Sequence, residues 1–240
     1  MIDRTKDIEA LSGQYDRDGV VIVPGLFSAT DVDAIRDALA RVERESLHAM
    51  PASDYVLESD GASIRNLWRL ERHSAFFDEL SRRAPLLDLV RPLVHGDPVV
   101  MGVESFNKPP LVGSPVPPHQ DNAYFCLRPA DALTLWIAID PVTAANGPVH
   151  YLKASHCDGV RVHVPSGING NSMGLRDDLG DHEPCAVLLA PGDAAIHHCQ
   201  TIHYSAPNKS PSPRCALLIV YRGAHCETDE TLRAKYAMAQ

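Results

Sequence analysis

The chain has 240 residues, 45% of them apolar, and 31 acids against 22 bases give a formal charge of −9. That apolar share suffices for a sizeable core and excludes disorder and collagen-like repeats, and the length suits one domain of barrel or sandwich size. The acid surplus argues against a nucleic-acid partner, which leaves a basic footprint, and no apolar run approaches the ~18 residues of a membrane span.

The first residues alternate in charge with no apolar stretch, so no secretory leader is expected. Six cysteines, at positions 126, 157, 185, 199, 215 and 226, form no CxxC pair and are too sparse for a disulfide scaffold. Reduced thiols and a cytoplasmic location are the expectation.

Residues 4–16 suit a short helix, and residues 19–24 a β-branched strand closed by Pro24. Ser28 and Asp31 form a capping-box pattern ahead of Val32, Ile35, Leu39 and Val42, which predicts a helix to about His48. A polar loop, 51–62, follows with Asp54, Glu58 and Asp60. Residues 73–95 read as helical with a break near Pro85. Eight short apolar runs then alternate with turn residues, at 99–106, 124–127, 133–140, 148–152, 186–190, 194–198, 202–205 and 215–221. This rhythm predicts a closed barrel or jelly roll. Residues 156–184 interrupt it and are predicted to be a long lid loop, and residues 228–239 read as a helix. The expected fold class is mainly β with flanking α in one domain. Helical support that also forms part of the lid spans 1–97, the core 98–224 and a C-terminal helix 225–240.

The chemistry begins at His119-Gln120-Asp121. In an extended segment, residues two apart face the same way, so His119 and Asp121 present an imidazole and a carboxylate to one point. A third histidine would complete a 2-His-1-carboxylate set, which leaves three positions open on Fe(II). The competing reading of so short a motif is a surface turn with a solvated aspartate. Further on, Gly192-Asp193 opens a run holding His197, His198 and His203, and Arg214 follows. The rigid fork of arginine suits the far carboxylate of a dicarboxylate cosubstrate. A turn through Pro207-Asn208-Lys209-Ser210-Pro211 would let His203 and Arg214 face one barrel mouth, whereas a surface ion pair is the alternative for Arg214. His197 and His198 compete with His203 as ligands. Being adjacent, they face opposite ways, so at most one points inward, in a packing or supporting role.

Taken together and in order, several blocks carry a family resemblance. They are Asn107-Lys108-Pro109-Pro110, His119-Gln120-Asp121 with Tyr124-Phe125 and Arg128-Pro129, and Leu133-Thr134-Leu135-Trp136-Ile137-Ala138. Asn146-Gly147-Pro148, Ser155-His156, Pro191-Gly192-Asp193 and the stretch from His203 through Ser205 to Arg214 complete the set. The chain resembles the phytanoyl-CoA dioxygenase family of Fe(II)/2-oxoglutarate oxygenases. The resemblance implies a double-stranded β-helix (jelly-roll, cupin-like) core with N-terminal helices packed outside. It implies that His119, Asp121 and His203 bind iron, and that Arg214 pairs with the distal carboxylate of 2-oxoglutarate. Ser205, Trp136, Gln120 and Thr134 then line the cosubstrate and substrate pocket, although Trp136 and Thr134 read equally well as barrel core. Related halogenases replace the carboxylate ligand to make room for chloride, so the presence of Asp121 disfavours halogenation. With Fe(II), 2-oxoglutarate and O2, the implied reaction oxidises an unactivated C–H bond by hydroxylation or oxidative ring closure and releases succinate and CO2.

A small-molecule substrate is expected. No basic cluster stands ready for the phosphates of CoA, which favours a small polar metabolite or a natural-product step, such as antibiotic biosynthesis, over an acyl-CoA. Asn122, Tyr124, Lys108, Asn169 and Asp177 are the candidate substrate contacts. Residues 1–60 carry 13 acids to 6 bases and residues 156–183 carry 5 to 2, while the rest is near neutral. If these two stretches roof the pocket, Asp54, Glu58, Asp60, Asp158, Asp177, Asp178, Asp181 and Glu183 would draw a cation such as an amino sugar or aminoglycoside. The alternative is that they serve solubility. A cupin-like metal-dependent isomerase or a non-catalytic metal- or ligand-binding jelly roll is the rival reading, and neither needs Arg214.

Overall fold

The computed structural model describes residues 4–177 and 179–236. Arg4–Asp18 (α1) leads into Val20–Val23 (β1), and Ser28 caps Ala29–Arg41 (α2). The Ser28 hydroxyl accepts the Asp31 N–H at 3.2 Å, and the Asp31 carboxylate accepts the Ser28 N–H at 3.1 Å, so the predicted capping box forms. Beyond α2, a π-helical turn and a 3-10 turn carry the chain on to Ala49. Tyr55–Leu57 (β2), inside the predicted polar loop, then pairs as a hairpin with Ile64–Leu67 (β3) just beyond it. Leu70–His73 (α3), Ala75–Ser81 (α4) and Ala84–Val90 (α5) follow. Pro85 lies in the first turn of α5, where a missing N–H removes no helical bond.

The remaining strands are Pro98–Lys108 (β4), Val116–His119 (β5), Leu127–Arg128 (β6), Ala132–Ala138 (β7), Val149–Leu152 (β8), His163–Ile168 (β9) and Asn171–Leu175 (β10). Pro184–Val187 (β11), Ala194–His198 (β12), His203–Ser205 (β13), Arg214–Gly223 (β14) and Glu227–Thr228 (β15) complete them. Two helices accompany these strands, Asn122–Phe125 (α6) and Glu230–Tyr236 (α7). A seven-stranded sheet, ordered β1-β12-β7-β14-β4-β3-β2, faces a four-stranded sheet, β11-β8-β13-β5. This is the expected jelly-roll core with helices packed outside.

The two-residue period of a strand sorts the large sheet into two faces. Leu133, Leu135 and Ile137 of β7, Ile196 of β12, and Leu217, Ile219 and Tyr221 of β14 join one apolar cluster with Ile35, Leu39, Phe77, Leu80 and Val90 of the helices. The intervening residues, Thr134, Trp136, His197, Leu218 and Val220, line a cavity on the opposite face. Every residue of β7 is therefore buried. The turn into β12 depends on Gly192, whose φ is +90°; a Cβ there would meet the Phe27 carbonyl at 2.3 Å. Asp193 holds the same turn by accepting the N–H groups of Gly25 and Ala190, each at 2.8 Å.

Three further elements differ from expectation. Residues 124–127, predicted as strand, are mostly a single helical turn, because the Asn122 amide bonds both the N–H and the C=O of Leu127 and folds the chain back. The predicted lid loop contains the β9–β10 hairpin. The last helix occupies Glu230–Tyr236, and residues 237–239 of the prediction lie outside the described residues. No helix among the described residues is long and apolar enough to cross a membrane.

Candidate metal and cosubstrate site

β5 and β13 are antiparallel neighbours with His203 directly opposite His119. Asp121 follows at the start of α6. His119 Nε2 and His203 Nε2 lie 3.5 and 3.6 Å from Asp121 Oδ1. One ligand atom from each of the three lies within 4.8 Å of the others, and no other such group occurs among the described residues. The remaining ring nitrogens fix the tautomers. His119 Nδ1 donates to the Pro117 carbonyl at 2.9 Å and His203 Nδ1 to the Thr201 carbonyl at 3.0 Å. A carbonyl only accepts, so each Nδ1 carries the proton and each Nε2 keeps its lone pair for a metal. Burial and the neighbouring His119 hold His203 well below the usual histidine pKa, which keeps it neutral.

The second oxygen of Asp121 is already engaged. Thr134 Oγ1 donates to Oδ2 at 2.8 Å, and His197 Nε2 lies 3.1 Å from the same atom. The carboxylate requires His197 to donate from Nε2, so its Nδ1 accepts from the Tyr151 hydroxyl at 3.1 Å. Oδ1 is left to face the two ligand nitrogens. Burial opposes the Asp121 charge, but the imidazoles packed around it, with His197 donating to Oδ2, hold the carboxyl well below the ordinary range.

Arg214 opens β14, is 2% exposed and sits with its guanidinium 5.3 Å from the Trp136 ring centre. Its Nε has no hydrogen-bond partner, and it makes no ion pair among the described residues. Burial lowers its pKa to about 10, so it remains a cation at neutral pH. An unpaired buried charge is costly, and an arriving carboxylate would offset that cost. Arg214 and the three ligand residues line one cavity of about 410 Å³. The donor set fits Fe(II), and the orphaned guanidinium fits the distal carboxylate of 2-oxoglutarate.

Ser205, Trp136, Thr134 and Tyr124 also line this cavity. Five predicted contacts do not. Gln120 faces away from it, because the period that brings His119 and Asp121 together turns the residue between them outward. Its amide instead donates to the carbonyls of Gly159 and Gln200 and accepts the Arg161 N–H, fastening the base of the 156–184 segment. Asn122 is consumed by Leu127. Lys108 is buried beside Arg214, donates to the Ser114 carbonyl, and is pushed down to about 6 by burial and that neighbouring cation. Asn169 is exposed at the hairpin turn, and Asp177 is exposed against Arg176. The hairpin reaches the cavity through Gly170 and Asn171, and the Asn171 amide oxygen accepts from Arg65 at 2.7 Å.

None of the described acids counted as a roof lines the cavity. Asp54 binds Arg69 and His73, and Glu58 accepts the Ser114 N–H at 3.0 Å beside Arg65. Asp60 caps the turn at Ala62 and Ser63, and Asp158 pairs with His182. Asp181 and Glu183 are exposed, and Asp178 lies outside the described residues. Sequence reasoning missed Tyr151, Trp68, Arg69 and Glu104 as cavity residues. The alternation along residues 99–106 could have found Glu104, because it shares a face with Phe106.

The phytanoyl-CoA dioxygenase (PhyH) family matches residues 15–216. A probable alpha-ketoglutarate-dependent hypophosphite dioxygenase of Stutzerimonas stutzeri is 30% identical over 221 residues, covering 88% of this chain and 77% of the relative. L-proline trans-4-hydroxylase of Streptomyces griseoviridis is 28% identical over 236 residues, with 87% and 84% covered. Among solved structures, EctD from S. alaskensis with 2-oxoglutarate and 5-hydroxyectoine superposes with a TM-score of 0.75 at 22% identity, covering 93% of this chain and 76% of that one. A protein of this fold and donor set is an Fe(II)/2-oxoglutarate-dependent dioxygenase. The chain belongs to the PhyH family.

Proposed function

We propose that His119, Asp121 and His203 hold Fe(II), that Arg214 orients 2-oxoglutarate, and that the enzyme hydroxylates a C–H bond of a small polar metabolite. The observation that carries this reading is the unpaired, buried Arg214 in the same cavity as the three ligand atoms. When bound, the metal and its cosubstrate supply the oxidising chemistry: R–H, 2-oxoglutarate and O2 become R–OH, succinate and CO2. The protein's residues position the reactants. Thr134 and His197 hold Asp121 so that one oxygen serves the metal, and Trp136 flanks the guanidinium that grips the cosubstrate. Leu218, Val220, Phe106 and Val149 form apolar walls that keep water from the reacting carbon.

The cavity of about 410 Å³ must hold the cosubstrate as well, which supports a compact substrate and argues against a long acyl chain. Relatives named for L-proline and ectoine point the same way. Oxidative ring closure is the alternative outcome where a substrate hydroxyl lies beside the oxidised carbon. The test is anaerobic addition of Fe(II) and 2-oxoglutarate, which gives a weak visible charge-transfer band, followed by succinate formation in air. A folded protein showing neither overturns the reading.

A further inference from the structure

Almost every ionisable side chain lining the cavity has a partner or an assigned task. Asp121 faces the two imidazoles, Thr134 and His197. Arg69 is bound to Asp54, with Nε at 2.9 Å from the carboxylate. Arg72 lies at the mouth, 70% exposed beside Glu71. Glu104 is different. Its carboxyl lines the cavity and has no hydrogen bond or ion pair among the described residues.

Its place in the sheet is specific. Glu104 pairs with Leu218 of β14, which pairs in turn with Trp136 of β7. One step along, Gly102 pairs with Val220, which pairs with Thr134, the residue that holds Asp121. Leu218 and Val220 are thus an apolar floor between Glu104 on one side and Trp136 and Thr134, which holds Asp121, on the other. Strands lie about 4.8 Å apart, so this floor is roughly 10 Å across, the length of a small molecule. Gly102 leaves room beside the carboxyl, since the nearest atom to a Cβ there would be Glu104 Oε1 at 4.0 Å. Burial, reinforced by Asp121 and Glu71 and opposed by Arg69, pushes Glu104 up to about 8. At neutral pH the group is therefore mostly protonated, and a cationic group beside it would draw out the carboxylate.

We propose that Glu104 anchors a protonated nitrogen of the substrate, holding a small amine or cyclic amino acid across the Leu218–Val220 floor with a C–H bond toward His119, Asp121 and His203. The proposal rests on the oxygenase function above. It assigns the cation-binding role to a residue inside the barrel instead of the acidic surface segments.

The test is a succinate assay with L-proline, ectoine, glucosamine and 2-deoxystreptamine, each beside an isostere in which oxygen replaces nitrogen. At least one amine is expected to stimulate turnover above background while its isostere does not. Glu104→Gln raises KM for that amine roughly 10- to 100-fold, the weight of a charge-assisted hydrogen bond, with a smaller effect on kcat. Glu104→Asp, which keeps the charge on a shorter arm, recovers part of the loss. The anaerobic Fe(II)/2-oxoglutarate band in each variant shows that the protein is folded and loaded. Should Glu104→Gln lose the band, the comparison of amine with isostere in the unaltered protein decides alone. Equal stimulation by isosteres, no stimulation by any amine, or an unchanged KM in a loaded Glu104→Gln overturns the proposal. An unaltered protein without the band overturns the oxygenase reading instead.

Discussion

Thr134 and His197 stand opposite each other on neighbouring strands and bind the same oxygen of Asp121, at 2.8 and 3.1 Å. Both therefore orient the carboxylate through a single atom. Loss of such a support typically costs 10- to 100-fold in metal affinity. Thr134→Val and His197→Phe are each expected to weaken Fe(II) binding by roughly that factor, as read by anaerobic titration. Because both act on one oxygen, the double variant should lose less than the product of the two factors.

His203, on β13 of the small sheet, faces the cavity, whereas His198, on β12 of the large sheet, does not line it. His203 faces Asp121, whereas His198 packs near the rings of Tyr15 and His156, with centroids 6.0 and 5.2 Å away. His203→Ala is expected to abolish the Fe(II)/2-oxoglutarate absorption band, and His198→Ala to retain it. The reverse pattern would transfer the ligand role to the other histidine.

Arg214 gives a prediction with two signs. Arg214→Leu removes a buried, unpaired charge, so the thermal midpoint of the metal-free protein should stay level or rise. The same change should raise KM for 2-oxoglutarate roughly 10- to 100-fold, since a charge-assisted fork is lost. Added 2-oxoglutarate should stabilise the unaltered, metal-loaded protein in a melt and fail to stabilise the variant.

Asp54 links the β2–β3 hairpin to α3. Its carboxylate accepts from Arg69 Nε at 2.9 Å and His73 Nε2 at 2.7 Å, and Arg69 holds it well below its ordinary value of 3.8, against a smaller opposing effect of burial. A carboxylate depressed in the folded state stabilises fully above its unfolded pKa and loses that contribution as pH falls below it. Arg69 is partly exposed, so solvent screening trims the gain. Asp54→Asn should cost about 1–2 kcal/mol at pH 7 in urea unfolding, and the gap to the unaltered protein should narrow from about pH 4 downward.

What could be read before folding followed from short periods. The alternation that pairs His119 with Asp121, and the opposed facing of His197 and His198, are local facts of an extended chain. The capping box at Ser28 is equally local. What could not be read depended on which side chains the folded chain brings against one another. Whether Asp54 or Glu58 charges the pocket is decided by Arg69 and Arg65, which the fold brings against them. A charge tally cannot distinguish a bonded acid from a free one. Residues 124–127 were misread because their β-like composition yields to one side chain, Asn122, that bends them. Gln120 sits inside the motif, yet its neighbours' orientation excludes it from the site.

The fully buried β7 limits how such an enzyme can change its substrate. Leu133, Leu135 and Ile137 support the helices, while Thr134 and Trp136, one residue away on the same strand, face the chemistry. A substitution there disturbs two packings at once. β4 and the β9–β10 hairpin reach the cavity with Met101, Gly102, Glu104, Gly170 and Asn171, away from this doubly committed ribbon. Divergence in substrate choice, natural or engineered, is therefore channelled to β4 and the hairpin, and β7 is the strand that evolution has least freedom to edit.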